Sequence, residues 1–398
     1  MLSPAEAESA ISANVRPLPS EDRPLERLAG AVLHEAVHAT RDQPPFDRVT
    51  MDGVAFAASA HRAGTRNFRI AATQAAGAPP VGLEDPNDCI EVMTGAILPK
   101  GCDCVVPIEK ITVREGYAHV PDEVAPVSGA NVHARGIDCR AGSLLLAPGT
   151  LLGPAEIAVI ASSGRARVKV SREPRIVVIT TGNELVEPGE PVAQWQIYRS
   201  NAYAVLAALK NRGFERLTHD HLADDVEALR TALSRHLDEQ DVLIMSGGVS
   251  MGRYDYVPQV LDELGVRTIF HKISQRPGKP MWFGVHPHGA AVYALPGNPV
   301  SASVCLARYV YRGLDAARGR TPPEPQIVAL SEDFEVKPAL TYFLPVALAA
   351  DRGTFSAQPH PTQGSGDFTS LLRTDGFVEL PPGPRVVTRS TPVNFYPW

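Results

Sequence analysis

The chain has 398 residues, 44% of them hydrophobic, 21% charged and 6% aromatic, with a formal net charge of −6 at pH 7. That length suggests two to four domains with ordinary globular cores, and neither the charge nor the aromatic content suits a nucleic-acid partner. No apolar run reaches the roughly 18–20 residues of a membrane span, and "MLSPAEAESAI" has no basic stretch leading into an apolar one, so the expected location is the cytoplasm.

In chain order, Ser3-Pro4-Ala5-Glu6 has capping-box spacing with Pro at the first helical position, which predicts an N-terminal helix. A second helix is expected after Pro24, where Leu25, Leu28, Val32 and Val37 recur near helical spacing. From about 65 to 150 the period shortens. "FRIAATQAAG", "DCIEVMTGAIL", "CDCVVPIE" and "SLLLAPGTLL" are short, apolar or β-branched, and punctuated by Gly and Pro, which predicts small strands. "GPAEIAVIASSG" (153–164) reads as helix again. These segments predict a helical part over 1–43 and 140–173, with a β-rich domain over 44–139 inserted into it.

Residues 174–320 alternate strand and helix: "RIVVITT", "NAYAVLAALKNRG", "DVEALRTALSRHLDE", "DVLIMS", "YVPQVLDELG", then "VRTIFHKI", "PMWFGV" and "AAVYAL". That texture predicts an α/β domain with a mostly parallel sheet. After the proline-rich "GRTPPEPQ", residues 326–398 read as all-β, a small C-terminal domain. Cys89, Cys102, Cys104, Cys139 and Cys305 are irregularly spaced and complete no zinc tetrad, so they are expected to be inert thiols.

In open α/β sheets, ligands bind beyond the carboxyl ends of the strands. "ITTGNELVEPGE" ends a strand in Thr180, Thr181 and Gly182 before Glu184; "LIMSGGVSMGRYD" ends one in Ser246, Gly247, Gly248, Ser250 and Asp255; "LPGNPVSA" ends one in Pro296, Gly297, Asn298, Pro299 and Ser301. Glycine turns of this kind present N–H groups to an anion, although none is a Walker loop or a dinucleotide fingerprint. "SQRPGKP" adds Arg276 and Lys279, a fork and a point charge suited to an oxyanion. Taken singly, each feature has a plainer reading. Asn298, Asp224 and Asp255 suit helix caps, Glu184 a solvated turn, and Arg276 with Lys279 a surface salt bridge. Together they are harder to dismiss, and carboxylates beside phosphate-type loops imply a divalent metal.

These segments, with "PPFDRVTMDGVAF", "VMTGAILPKGCDCVV" and "RGID", follow the order and spacing of the MoeA family of molybdopterin molybdenumtransferases, which the chain resembles over nearly its whole length. A eukaryotic relative is the E domain of gephyrin. The resemblance implies insertion of molybdenum from molybdate into adenylylated molybdopterin, with release of AMP and use of Mg²⁺ or another divalent metal. It also implies a homodimer whose site is shared between subunits. Transient contacts with the molybdopterin adenylyltransferase and with molybdoenzyme maturation proteins would follow.

By motif, Glu184, Asp224 and Asp255 become the metal-associated carboxylates, and Ser246, Gly247, Gly248 and Ser250 a phosphate or pterin cradle. Arg276 and Lys279 would hold molybdate beside a wall of Pro296, Gly297, Asn298, Pro299 and Ser301. Asp52, Thr94, Arg135 and Asp138 would reach in from the partner subunit. Four positions depart from the family pattern: Val54 replaces Tyr after "MDG", Ile137 replaces a carboxylate in "RGID", Arg276 replaces Lys, and Arg199 replaces Asp in the Asp-Ser-Asn before the first long helix. The competing readings are a non-catalytic scaffold paralogue and a molybdopterin adenylyltransferase-type step. Residues 1–150 and the C-terminal domain argue against the second of these.

Overall fold

The computed structural model describes residues 1–248, 256–351 and 354–398. It divides into two compact units, one of residues 1–34, 148–153 and 167–398, the other of 35–147 and 154–166.

The first unit is built on a six-stranded sheet. Its strands are β1 (Ile176–Thr181), β2 (Leu217–Leu222), β3 (Val242–Ser246), β4 (Arg267–His271), β5 (Trp282–Val285) and β6 (Ala291–Leu295). The order is β2-β1-β3-β6-β5-β4. β2, β1, β3 and β6 run parallel, whereas β5 is antiparallel to both its neighbours. "IVVITT" and "VLIMS" are buried along their whole length, as strands covered on both faces must be.

Alternate residues feed two cores. Val178 and Ile244 pack with α1 (Pro4–Asn14), α2 (Asn201–Asn211) and α5 (Pro299–Cys305) through Ile11, Leu209 and Val304. Val177 and Leu243 pack with α3 (Val226–Glu239) and α4 (Val257–Glu263) through Leu229, Leu233 and Val260. Each such side chain contributes about 1.5–3 kcal/mol by leaving water.

The C-terminal strands 326–330, 354–359, 341–351, 376–380 and 392–397 pair in a ring, a closed five-stranded barrel. Val328, Leu344, Val346, Val378 and Phe395 fill it. Gln275 and Arg276 add to its outside, paired with Thr341 and Tyr342.

The second unit carries a six-stranded sheet in the order 104–107, 53–56, 88–92, 67–74, 117–119, 112–114. Phe56 stacks on Phe68 in its core, beside Cys89 and Cys104. Burial pushes the thiols of Cys89, Cys102 and Cys104 up to about 12, so they stay protonated and unreactive at neutral pH.

The capping box at Ser3 forms as expected, its hydroxyl taking the Glu6 N–H while the Glu6 carboxylate takes the Ser3 N–H. The helix expected after Pro24 does not form. Residues 20–24 are instead a strand antiparallel to 167–171, followed by one 3₁₀ turn at Leu25–Arg27. Gly30 has φ +73° and breaks any helix there, while Val32 and Leu33 bridge to Leu151 and Val170. The apolar spacing was genuine, but it served strand-like contacts. Among the described residues no helix is long and apolar enough to cross a membrane.

Candidate functional site

Because β1, β2, β3 and β6 are parallel, their carboxyl ends share one edge of the sheet. β5 starts at that edge too, since Trp282 pairs with Ala294 near the end of β6. The turns after Thr181, Leu222, Ser246 and Leu295, and the 276–279 segment before β5, therefore meet at one end.

Glycine makes the meeting close. Gly247 has φ +98°, and a Cβ there would lie 2.7 Å from the Thr181 carbonyl oxygen and 3.0 Å from its hydroxyl. Gly248, at φ +69°, is as tightly placed against Thr181 Oγ1 and Val257. A Cβ on Gly297 would stand 3.7 Å from the Gly247 Cα. Asn201, at the start of α2, ties the same loops together by donating its amide to Ser246 Oγ and to the Gly297 carbonyl, both at 2.8 Å. Thr181 Oγ1 is buried and has no hydrogen-bond partner among the described residues. Ser250 and Asp255 lie outside those residues.

Two carboxylates border this floor. A Cβ on Gly182 would fall 2.6 and 2.7 Å from the oxygens of Glu184, so that carboxylate folds back over its own turn. Asp224 and Asn183 clasp each other, with Asn183 N–H to Asp224 Oδ2 at 3.4 Å and Asp224 N–H to Asn183 Oδ1 at 3.3 Å. The helix cap is supplied by Asp225, whose Oδ1 accepts the Ala228 N–H at 2.9 Å. Asp224 is thereby left for the Gly182–Glu184 turn. His221, hydrogen-bonded to Thr180 at 3.1 Å, has its pKa lowered by burial and then by Arg199.

Asn298 occupies the N-cap position of α5 with no capping hydrogen bond; its amide donates instead to Ser365 of the C-terminal domain at 2.7 Å. The cap expected from "NP" is therefore not made. Ser365 also receives the Val300 N–H through its carbonyl at 3.0 Å. Ser301 is buried in the first turn of the same helix. Gly278 packs onto this helix, where a Cβ would meet Cys305 Sγ at 2.6 Å and the Ser301 carbonyl at 3.6 Å. Arg276 and Lys279 flank Gly278, are exposed, and form no ion pair among the described residues. Among the described residues, the surface salt bridge weighed for them is absent.

The remaining sequence candidates lie in the second unit and form two groups. Asp52 Oδ1 accepts both the hydroxyl and the N–H of Thr94, at 2.7 and 2.6 Å, and these bonds hold its carboxyl below the ordinary value. Arg135 donates Nε to Asp42 at 2.8 Å and its N–H to Asp47, while Asp138 pairs with His133 at 3.0 Å.

Sequence reasoning did not select Asn201, Thr181 or Ser365 as site residues. Thr181 and Asn201 had a usable signal, a hydroxyl before glycine and an amide at a helix start, whereas Ser365 had none. A cavity of about 360 Å³ lies at the opposite, amino end of the strands, beside Val242 and Ala291. Its Arg172 and Arg175 are already committed to Asp241.

Three family models match the chain: the MoeA N-terminal region (domains I and II) over residues 2–164, a probable molybdopterin binding domain over 177–316, and the MoeA C-terminal region (domain IV) over 328–398. A molybdopterin molybdenumtransferase of Synechocystis is 41% identical over 371 residues, 93% of each chain. One from Synechococcus elongatus is 31% identical over 387 residues, 95% of this chain and 94% of its own. Among solved structures, a molybdopterin biosynthesis MoeA protein from Pyrococcus horikoshii superposes with TM-score 0.82 at 29% identity, covering 100% of this chain and 99% of its own.

Proposed function

Because this chain belongs to the MoeA family of molybdopterin molybdenumtransferases, and its activity is accordingly molybdenum insertion in the biosynthesis of the molybdenum cofactor, we propose that insertion takes place at the glycine-lined end of the α/β sheet. The substrate there is adenylylated molybdopterin, and AMP is the leaving product. The observation that carries this reading is the company kept by Arg276 and Lys279. Two exposed cations without an acidic partner among the described residues stand at the strand edge that also holds three glycine turns and two carboxylates.

In this reading Arg276 and Lys279 hold molybdate through charge-assisted hydrogen bonds, walled by Pro296, Gly297, Asn298, Pro299 and Ser301. Ser246, Gly247, Gly248 and Ser250 cradle the phosphate or pterin, and the lack of a Cβ at Gly247 and Gly248 is what lets that turn approach Thr181. Asn201 keeps the cradle from spreading by bridging Ser246 to Gly297. Little proton transfer is asked of the protein. The work is positioning and electrostatics.

The residues fit a magnesium ion. Glu184 and Asp224 offer hard carboxylate oxygens at the rim of the anion loops, and Mg²⁺ commonly takes one or two carboxylates and completes its shell with water and phosphate. No cluster of three such ligands occurs among the described residues, so Asp255 is proposed as the third. When bound, the ion would offset the charge of the pyrophosphate.

The four-part division proposed from sequence, 1–43 with 140–173, 44–139, 174–320 and 326–398, follows the family pattern. A second copy of the chain would supply Asp52, Thr94, Arg135 and Asp138, in a cytoplasmic homodimer. The adenylyltransferase and the maturation proteins of molybdoenzymes would meet it transiently. Purified protein given adenylylated molybdopterin, molybdate and Mg²⁺ should release AMP only when molybdate is present. Release that ignores molybdate would overturn the proposal.

A further inference from the structure

The Arg276–Lys279 loop is exposed at its charged ends, yet it is anchored by a side chain that is fully buried. Gln275 has no exposed surface. Its amide nitrogen donates to the Pro277 carbonyl at 3.0 Å and approaches Cys305 Sγ at 3.7 Å, and its amide oxygen accepts the hydroxyl of Tyr309. Cys305 Sγ in turn lies 3.7 Å from the Gly278 carbonyl. Gly278, at φ +89°, sits so close that a Cβ would come within 2.6 Å of both the Gln275 amide nitrogen and Cys305 Sγ. A buried amide is costly unless bonded at both ends. Here both ends are bonded, one to the loop and the other to a helix.

That helix is irregular at the point of contact. After α5 the chain makes a π-helical turn, Leu306–Val310, before resuming as α-helix at Tyr311. Tyr309 lies within the turn and is fully buried. Single π turns inside helices are rare and recur at functional sites, because they rotate a side chain out of the regular array. On the other flank, the backbone of Gln275 and Arg276 pairs with Thr341 and Tyr342 of the barrel. The loop is thus held by the barrel along its backbone and by Gln275 underneath. Neighbouring Arg308 is buried too and bridges Glu8 to Glu379 of the barrel, which fixes the π turn in turn.

We propose that Gln275 and Tyr309 are positioning residues for oxyanion capture: the Tyr309–Gln275–Pro277 chain sets where the guanidinium of Arg276 and the ammonium of Lys279 stand, and so sets the affinity for molybdate. This rests on the reading that those two cations bind molybdate. Neither Gln275 nor Tyr309 reaches the surface, so neither touches the anion.

The test uses the full-length protein with Gln275→Leu, Tyr309→Phe, the double variant, and Lys279→Ala as reference. Molybdate binding is measured by calorimetry, with KM for molybdate, kcat and thermal stability determined alongside. Gln275→Leu and Tyr309→Phe should each raise the molybdate Kd and KM by about five- to tenfold, the size of one lost buried hydrogen bond. Their kcat should stay within about twofold, and the double variant should be no worse than Gln275→Leu. A lowered melting temperature with unchanged molybdate Kd in both single variants would mean that the amide merely satisfies the core, and would overturn the inference. If Lys279→Ala abolishes molybdate binding while both variants keep it, the positioning role alone fails. If Lys279→Ala itself binds molybdate normally, the underlying reading of the cations fails.

Discussion

Replacing Gly247 with alanine tests whether the strand ends meet as closely as the function requires. The new Cβ would stand 2.7 Å from the Thr181 carbonyl oxygen, where ordinary contact begins near 3.4 Å, so the two turns must part by about 0.7 Å. The backbone at φ +98° adds strain of about 1–2 kcal/mol for any residue with a Cβ. A displacement approaching 1 Å in a preorganised site costs on the order of 10² in rate. Gly213→Ala is the control, because it has a similar φ of +82° but nothing within 4 Å of its Cβ. Both variants should lose stability in urea denaturation, Gly247→Ala the more because of its clash with the Thr181 carbonyl. Only Gly247→Ala should lose molybdate-dependent AMP release, by about 10²-fold. If Gly247→Ala kept a third or more of wild-type turnover, the Thr181 and Gly247 turns would not form the cradle, and the reasoning from close approach would fail.

Lys279→Ala should lower molybdate-dependent AMP release by on the order of 10²–10³, as loss of a well-aimed cation does elsewhere, while pterin binding measured by fluorescence is largely kept. Asp224→Asn preserves an acceptor for the Asn183 N–H but removes the charge, so the Mg²⁺ concentration for half-maximal AMP release should rise severalfold. Asp241 makes a prediction about acid stability. Burial pushes its carboxyl up, but hydrogen bonds from Arg172 and Arg175 outweigh that and hold it at about 2. Its contribution, about 2 kcal/mol for a depression of roughly two units, is complete above the ordinary carboxylate pKa. It should disappear as pH falls from about 4 to about 2. Asp241→Asn should therefore lower the urea midpoint at pH 7 and flatten its dependence on pH in that acid window.

The α/β half of the fold was legible because "IVVIT" and "VLIM" are short, largely apolar runs alternating with helical patterns, as strands buried on both faces read. Its site was legible for a related reason. Glycine, hydroxyl and carboxylate residues follow those runs directly, so local sequence already names the turns at the carboxyl edge. What failed depended on distant partners. Leu25, Leu28, Val32 and Val37 have helical spacing, yet residues 20–24 pair with 167–171, and no local pattern announces a strand partner about 150 residues away. Asp224 suits a helix cap by sequence, but folding gives the cap to Asp225 and the Asn183 clasp to Asp224. The amide of Asn298 found Ser365, 67 residues on, in place of its own helix. Nothing in the local sequence singles out Gln275, whose partner Tyr309 is delivered by a π turn 34 residues on.

The central claim is that one end of one sheet gathers an oxyanion site and a metal-bridged phosphate site side by side. Crystals soaked in tungstate or molybdate, with data collected across the metal absorption edge, test it most directly. An anomalous peak within hydrogen-bonding reach of Arg276 and Lys279, beside Ser301, is the expected result. A fully occupied peak at the amino end of the strands, near Arg172 and Arg175, with nothing beside Lys279, would contradict it.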